Sequence, residues 1–260
     1  MAAGRRDLTV AGAPLAGEVL RGTGPVLVYR AVIAGEPAVV KRLTGTEDAI
    51  ARRRFERERR FAHLLPHPLL PRLLGEGEDW IAFEALDDRI SKIRRAGPVG
   101  ARPLLAGLAD ALAFIHARGI VHRDIKPAHV LFRGERPVLV DFGIAGTPED
   151  DLQQAELSGT PAWMAPEQLS GGPALPSADI WSFSALGLFL LTGEKPYAGD
   201  AETVLRLRKA GAAPAFRMPA MIEQGDPALA GLLKAGLGPA ADRPAASDFV
   251  RVLGRGWSAP

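Results

Sequence analysis

The feature that most constrains this chain is the stretch His122-Arg123-Asp124-Ile125-Lys126-Pro127-Ala128-His129, followed by Asp141-Phe142-Gly143. Both stretches carry charged groups, and both are entered from apolar sequence. Residues 104–117 place Leu104, Leu105, Leu108, Ala111, Leu112 and Ile115 at helical spacing, the pattern of a buried helix. Residues 138–140 are a short apolar run of strand type leading into Asp141. The fold must therefore deliver one charged loop from a buried helix and a second from a buried strand.

Composition narrows the classes. A chain of 260 residues with 47% hydrophobic and 24% charged residues can bury a core as one large domain or two packed lobes. It has no cysteine, which excludes disulfides, thiolate zinc sites and a cysteine nucleophile. A net charge of +2 gives no electrostatic case for nucleic acid. The first eight residues lack a signal-peptide core, and the longest apolar run, 185–191, falls far short of the roughly 20 residues a spanning helix needs. A cytoplasmic protein without a membrane anchor is the expectation.

Taken in order, residues 1–16 read as a tail or an irregular first strand. Gly22-Thr23-Gly24 lies between strand-like runs at 18–21 and 26–31. Glycines there let backbone amides approach phosphate oxygens, although a plain hairpin turn explains them as well. Ala38-Val39-Val40-Lys41 is an apolar strand ending on a cation. In the helical run that follows, Phe55, Ala62 and Leu65 can share a face with Glu58 near it; Glu56 is the competing carboxylate for Lys41. Arg52, Arg53, Arg54, Arg57, Arg59 and Arg60 crowd this helix and read as a solvated face laced with Glu. Pro66 ends it. Runs at 69–74 and 80–86 read as strands about a turn at 75–79, and 178–191, 201–211 and 227–237 as further helices.

The ordered set Val39-Val40-Lys41, His122 to Pro127, Asp141-Phe142-Gly143, Gly159-Thr160-Pro161-Ala162-Trp163-Met164-Ala165-Pro166-Glu167 and Asp179-Ile180-Trp181-Ser182 resembles the eukaryotic-type (Hanks-type) Ser/Thr protein kinase family over 20–252. The resemblance implies an α+β, two-lobed fold in a single domain, 1–260. Its small β-rich lobe with one helix spans 1–86 and its larger helical lobe 87–260. It also implies transfer of the γ-phosphoryl group of ATP to protein hydroxyls. Asp124 would receive or orient the hydroxyl proton and Lys126 would contact the transferred phosphate. Asp141 would bind Mg²⁺, and Lys41, oriented by Glu58, would hold the other phosphates. Further nucleotide contacts are implied at Gly22, Gly24, Val28, Glu84, Leu86 and Leu131, with Phe83 guarding the back pocket. Arg123 would pair with a group in the loop 144–158, which is acidic at Glu149, Asp150, Asp151 and Glu156. Thr160 would pack beside the catalytic loop, Glu167 and Arg243 would pair, and Asp179 would anchor the loop backbone. His116 and His122 read as packing residues.

The chain departs from the family in three places. The third loop glycine is absent, and Ser184 replaces a glycine. His129 stands where the family has the asparagine that holds the second metal. An imidazole suits Mn²⁺ or Zn²⁺ better than Mg²⁺. Three readings of His129 stay open: tolerance with one metal on Asp141, a shift toward Mn²⁺, or a pseudokinase that binds nucleotide or partners without turnover. A small-molecule phosphotransferase is opposed by 159–167, the stretch that builds the peptide shelf in protein kinases.

Overall fold

The computed structural model describes residues 8–10, 13–15, 17–21, 24–45, 47–88, 90, 97–147, 160–173 and 175–254. Two strands near the N-terminus, β1 (Leu8–Val10) and β2 (Ala13–Leu15), pair antiparallel where a tail or irregular strand was expected. A five-stranded antiparallel sheet follows, built from β3 (Val19–Arg21), β4 (Val26–Ile33), β5 (Glu36–Leu43), β6 (Leu73–Glu76) and β7 (Trp80–Glu84), in the order β3-β4-β5-β7-β6. Residues 69 and 70, expected to open a strand, lie in a buried turn instead.

Strand alternation decides what this sheet shows the rest of the molecule. Tyr29, Ala31 and Val40 turn to one side and pack with Ala82. Val26, Val28, Val39 and Lys41 turn to the other and line a cleft. The β4–β5 register sets Val28 opposite Lys41. Across the cleft face lies α1 (Ala49–Leu64), capped by Asp48, whose carboxylate accepts from the N–H groups of Ile50 (3.0 Å) and Ala51 (2.9 Å). Ala51, Phe55, Glu58 and Phe61 are its buried positions, a single helical stripe. Arg52, Arg53 and Arg60 are exposed and Arg59 pairs with Glu56, as a solvated face requires, but Arg54 turns inward and lines the cleft.

The larger part is helical. Helix α2 (Gly97–His116) begins seven residues before the apolar stripe does and runs through Pro103, which removes one intrahelical N–H donor in its second turn. Leu104, Leu105, Leu108, Ala111, Leu112 and Ile115 are all buried, as the periodicity requires. A hairpin of β8 (Val130–Arg133) and β9 (Arg136–Leu139) connects the two charged stretches. Next come α3 (Pro166–Leu169), α4 (Pro176–Thr192), α5 (Ala201–Lys209), α6 (Ala220–Gly225), α7 (Pro227–Gly236) and α8 (Ala246–Leu253). Residues 178 to 190 of α4 are buried without interruption, which marks it as the central helix. Ser184 is fully buried there, and its Oγ lies where a Cβ on Gly236 of α7 would go. Gly236 thus makes room for the serine, whose buried hydroxyl has no hydrogen-bond partner among the described residues. No helix of the described residues is long and apolar enough to cross a membrane.

Candidate active site

The cleft between sheet and helices has a volume of about 830 Å³, within the range of small-molecule sites. Val26, Val28 and Val39 form its apolar roof, and Leu86 and Leu131 border it from the helical side. Leu131 arrives there by alternation: Val130 and Phe132 point into the large core, so Leu131 points away from it. Phe83 and Glu84 line the far end. Gly22 lies outside the described residues. Gly24 adopts φ 109°, a conformation that favours glycine, but the lining residues beside it are Leu20, Pro25 and Val26 rather than Gly24 itself.

Charged side chains from both sides of the cleft gather inside it. Lys41 Nζ donates to Glu58 Oε1 (2.6 Å) and Oε2 (2.8 Å), and lies 3.8 Å from Asp141 Oδ1. Glu58 is the partner and Glu56 is not, because Glu58 belongs to the buried stripe of α1 while Glu56 faces Arg59. Burial pushes the Glu58 carboxyl up, opposed by the Lys41 charge. The Lys41 ammonium holds the Asp141 carboxyl well below the usual carboxylate range, so Asp141 is ionised. Lys126 Nζ donates to Asp124 Oδ2 (2.7 Å) and to Thr160 Oγ1 (3.0 Å). Lys41, Glu58, Asp124, Lys126 and Asp141 all line the one cleft.

Both charged turns need backbone conformations that L-residues avoid. Arg123 and Asp141 each sit at φ 72°, at a cost of roughly 1–2 kcal/mol apiece. Asp179 of α4 holds the first: its Oδ1 accepts from the Arg123 N–H (2.8 Å) and its Oδ2 from the His122 N–H (2.7 Å) and His116 Nε2 (2.9 Å). Burial raises the Asp179 carboxyl, but these donors outweigh it and the net shift is downward. His122 is fully buried. It donates from Nε2 to the Val140 carbonyl (3.1 Å), and its Nδ1 lies 3.3 Å from the Asp124 N–H. Burial lowers its pKa, so it is a neutral spacer between the two turns. Phe142 packs edge-on against His122 (4.8 Å between centroids) and under Phe61 of α1 (6.4 Å).

His129 lies at the end of a short 3₁₀ turn, Pro127–His129. Its Nδ1 is 2.8 Å from the main-chain carbonyl of Asp124, an acceptor only, so Nδ1 carries the hydrogen. Its other nitrogen, Nε2, stands 3.2 Å from Asp141 Oδ2. A nitrogen and a carboxylate oxygen stand side by side at the cleft wall. Among the described residues no group of three His, Asp, Glu or Cys side chains could hold a metal unaided. Two protein donors fit a cation whose remaining ligands come from nucleotide phosphates and water.

Four further residues join this framework without a sequence signal of their own. Gln168 donates from Nε2 to the Arg123 carbonyl (3.1 Å) and accepts from the Ala165 N–H (2.8 Å). Arg133 pairs with the buried carboxylate of Glu84 (Nε–Oε2 2.8 Å) and donates to the Leu70 carbonyl (3.1 Å). The Glu84 carboxylate is thereby committed, and its N–H donates to the Arg72 carbonyl (3.0 Å), which leaves its main-chain carbonyl for a ligand. Asp87 and Phe132 exchange backbone hydrogen bonds (2.9 and 2.8 Å), tying the connection after β7 to β8. Glu167 and Arg243 pair as expected, with Nη2–Oε2 at 3.0 Å. Arg123 donates to the Thr147 carbonyl; the acidic residues 149–151 and 156 and Ser158 lie outside the described residues.

Residues 23–228 match the protein kinase domain family. The chain is 34% identical over 216 residues to the serine/threonine-protein kinase pkn2 of Myxococcus xanthus, covering 74% of this chain and 26% of that protein. It is 37% identical over 191 residues to the serine/threonine-protein kinase PkaA of Streptomyces coelicolor (66% and 35%). To the serine/threonine-protein kinase PknB of Mycolicibacterium smegmatis it is 33% identical over 166 residues (57% and 27%). The chain thus spans roughly a quarter to a third of the length of these curated relatives. With the sheet-and-helix lobe, the helical lobe and the cleft charges in place, the chain belongs to the protein kinase domain family.

Proposed function

We propose that this chain is an ATP-dependent protein serine/threonine kinase, able to phosphorylate itself as well as other proteins. The observation that carries the reading is the convergence of Lys41, Glu58, Asp124, Lys126 and Asp141 on one cleft, with the Lys41–Glu58 pair formed. Phosphoryl transfer asks for positioned charge more than for covalent chemistry. The apolar roof of Val28 and Val39 and the Leu131 side chain suit a purine. The main chain of Glu84 to Leu86 would receive its edge. Lys41 neutralises phosphate charge, and Glu58 holds it in place. Asp124 orients the acceptor hydroxyl and takes its proton, while Lys126 offsets charge on the transferred group. The bond to Thr160 aims Lys126 and ties it to the peptide side.

Members of this family generally use ATP with Mg²⁺. Asp141 would hold the metal with His129 Nε2 beside it, where a bound cation neutralises phosphate charge. A mixed nitrogen–oxygen donor pair favours Mn²⁺ over Mg²⁺ relative to an all-oxygen pair. The test is radiolabel transfer with each metal in wild type, Asp124→Asn and His129→Asn. Wild type transfers label, Asp124→Asn loses it by about 10³-fold or more, and His129→Asn moves the preference toward Mg²⁺. Nucleotide-dependent thermal stabilisation with no transfer under either metal would make the chain a binding module, not an enzyme.

A further inference from the structure

Residues 160–167 run beside the catalytic pair. Thr160 bonds Lys126, the Trp163 N–H turns back to the Thr160 carbonyl (2.8 Å), and the Trp163 carbonyl accepts from Ser182 Oγ (2.7 Å). One more side chain closes this set, from a helix that no motif marks. Arg208, in the last turn of α5, is 9% exposed. Its Nη1 donates to the Pro161 carbonyl (2.7 Å) and to the Met164 carbonyl. Its guanidinium lies 4.7 Å from the centroid of Trp181 and 4.9 Å from that of Tyr197, whose hydroxyl donates to the Ala212 carbonyl (3.1 Å).

A buried guanidinium ordinarily faces a carboxylate. Among the described residues this one has no carboxylate within ion-pairing distance, and Glu167 is bonded to Arg243. Burial lowers the Arg208 pKa, but an arginine remains charged. Its charge is met by two carbonyl dipoles of one segment and two ring faces. Both carbonyls are gripped by a single nitrogen, which fixes their spacing, and the rings leave the group no room to slide. Arg208 does not line the nucleotide cleft; the segment it holds lies between it and Lys126.

Resting on the kinase reading, we propose that Arg208 is a positioning residue for the acceptor peptide: it sets the segment 160–165 at the height where a bound peptide presents its hydroxyl to Asp124. A residue with this role changes the affinity for the protein acceptor and leaves that for the nucleotide alone. One with a merely structural role changes both or neither.

The experiment uses the full chain with ATP, both metals and dephosphorylated casein as acceptor, comparing wild type, Arg208→Lys and Arg208→Met. In Arg208→Met the KM for casein rises about tenfold, the loss of roughly one charge-assisted hydrogen bond, while the KM for ATP stays within about twofold. Arg208→Lys keeps the charge and part of the ring contact and falls between. Parallel movement of both KM values, or movement of neither, overturns the proposal. Should Arg208→Met fail to fold, amide hydrogen exchange on Arg208→Lys carries the test without catalysis. Exchange speeds up at 160–165 and stays as in wild type along β5. Unchanged exchange at 160–165 overturns the role of Arg208 whether or not the wild type transfers phosphate. Absence of transfer in the wild type overturns the kinase reading alone.

Discussion

Two charged assemblies meet in this molecule and are held in opposite ways. Lys41, Glu58 and Asp141 come from β5, α1 and the turn after β9, and are joined to one another by side-chain contacts across the cleft. The catalytic loop is held from behind by Asp179, a carboxylate 1% exposed that takes two backbone N–H groups and a histidine. The first assembly is expected to come apart with the fold intact and the second is not, because Asp179 holds the left-handed backbone at Arg123. Chemistry is adjustable on the sheet side and built into the core on the helical side.

The sharpest way to break that contrast is Asp179→Asn. The amide keeps the volume but loses the charge that three donors face, so destabilisation of about 3–5 kcal/mol is expected, with transfer lost in step. Equilibrium urea unfolding measures it. The Asp179 carboxyl is depressed in the fold, so its contribution is complete above the ordinary carboxylate range and is lost as pH falls through its folded value. Wild type therefore loses stability with acid more steeply than Asp179→Asn does. Equal slopes would mean that the carboxylate does not anchor the loop.

On the other side of the comparison, Glu58→Gln removes the charge that orients Lys41. Transfer falls about 10–100-fold while the melting temperature moves by only a few degrees, read by paired kinetics and calorimetry. A collapse of the fold would show that the two assemblies are not distinct. The smallest effect belongs to the core beneath both. Gly236→Ala drives a methyl into Ser184 and costs about 1–3 kcal/mol with catalysis retained. Adding Ser184→Gly restores most of it; an additive loss would deny that the two positions are matched.

Much of this was legible in the chain. The period of α2, the apolar run of β5 and the apolar length of α4 each express burial in a regular element, and such patterns survive in one dimension. The site residues were legible for another reason: Asp124, Lys126 and Asp141 sit in short ordered motifs that resemble those of the protein kinase family. Arg133, Gln168 and Arg208 were not legible. Each acts on main-chain carbonyls or a buried partner far along the chain, and a carbonyl leaves no mark in a sequence. The start of α2 was missed because its first turns lie before the apolar stripe, where no periodicity announces a helix.

The sequence by itself determined which charges the site would hold and that His129 would stand where an oxygen ligand was expected. Only the tertiary structure decided how they are used. It chose Glu58 over Glu56 because burial selects one face of α1. It turned the Glu84 side chain to Arg133 and its N–H to Arg72, and left its main-chain carbonyl for the cleft. It fixed the His129 ring so that Nε2 faces Asp141, since the Asp124 carbonyl can only accept. Those choices depend on distances between segments remote in the chain, which packing sets and local sequence does not.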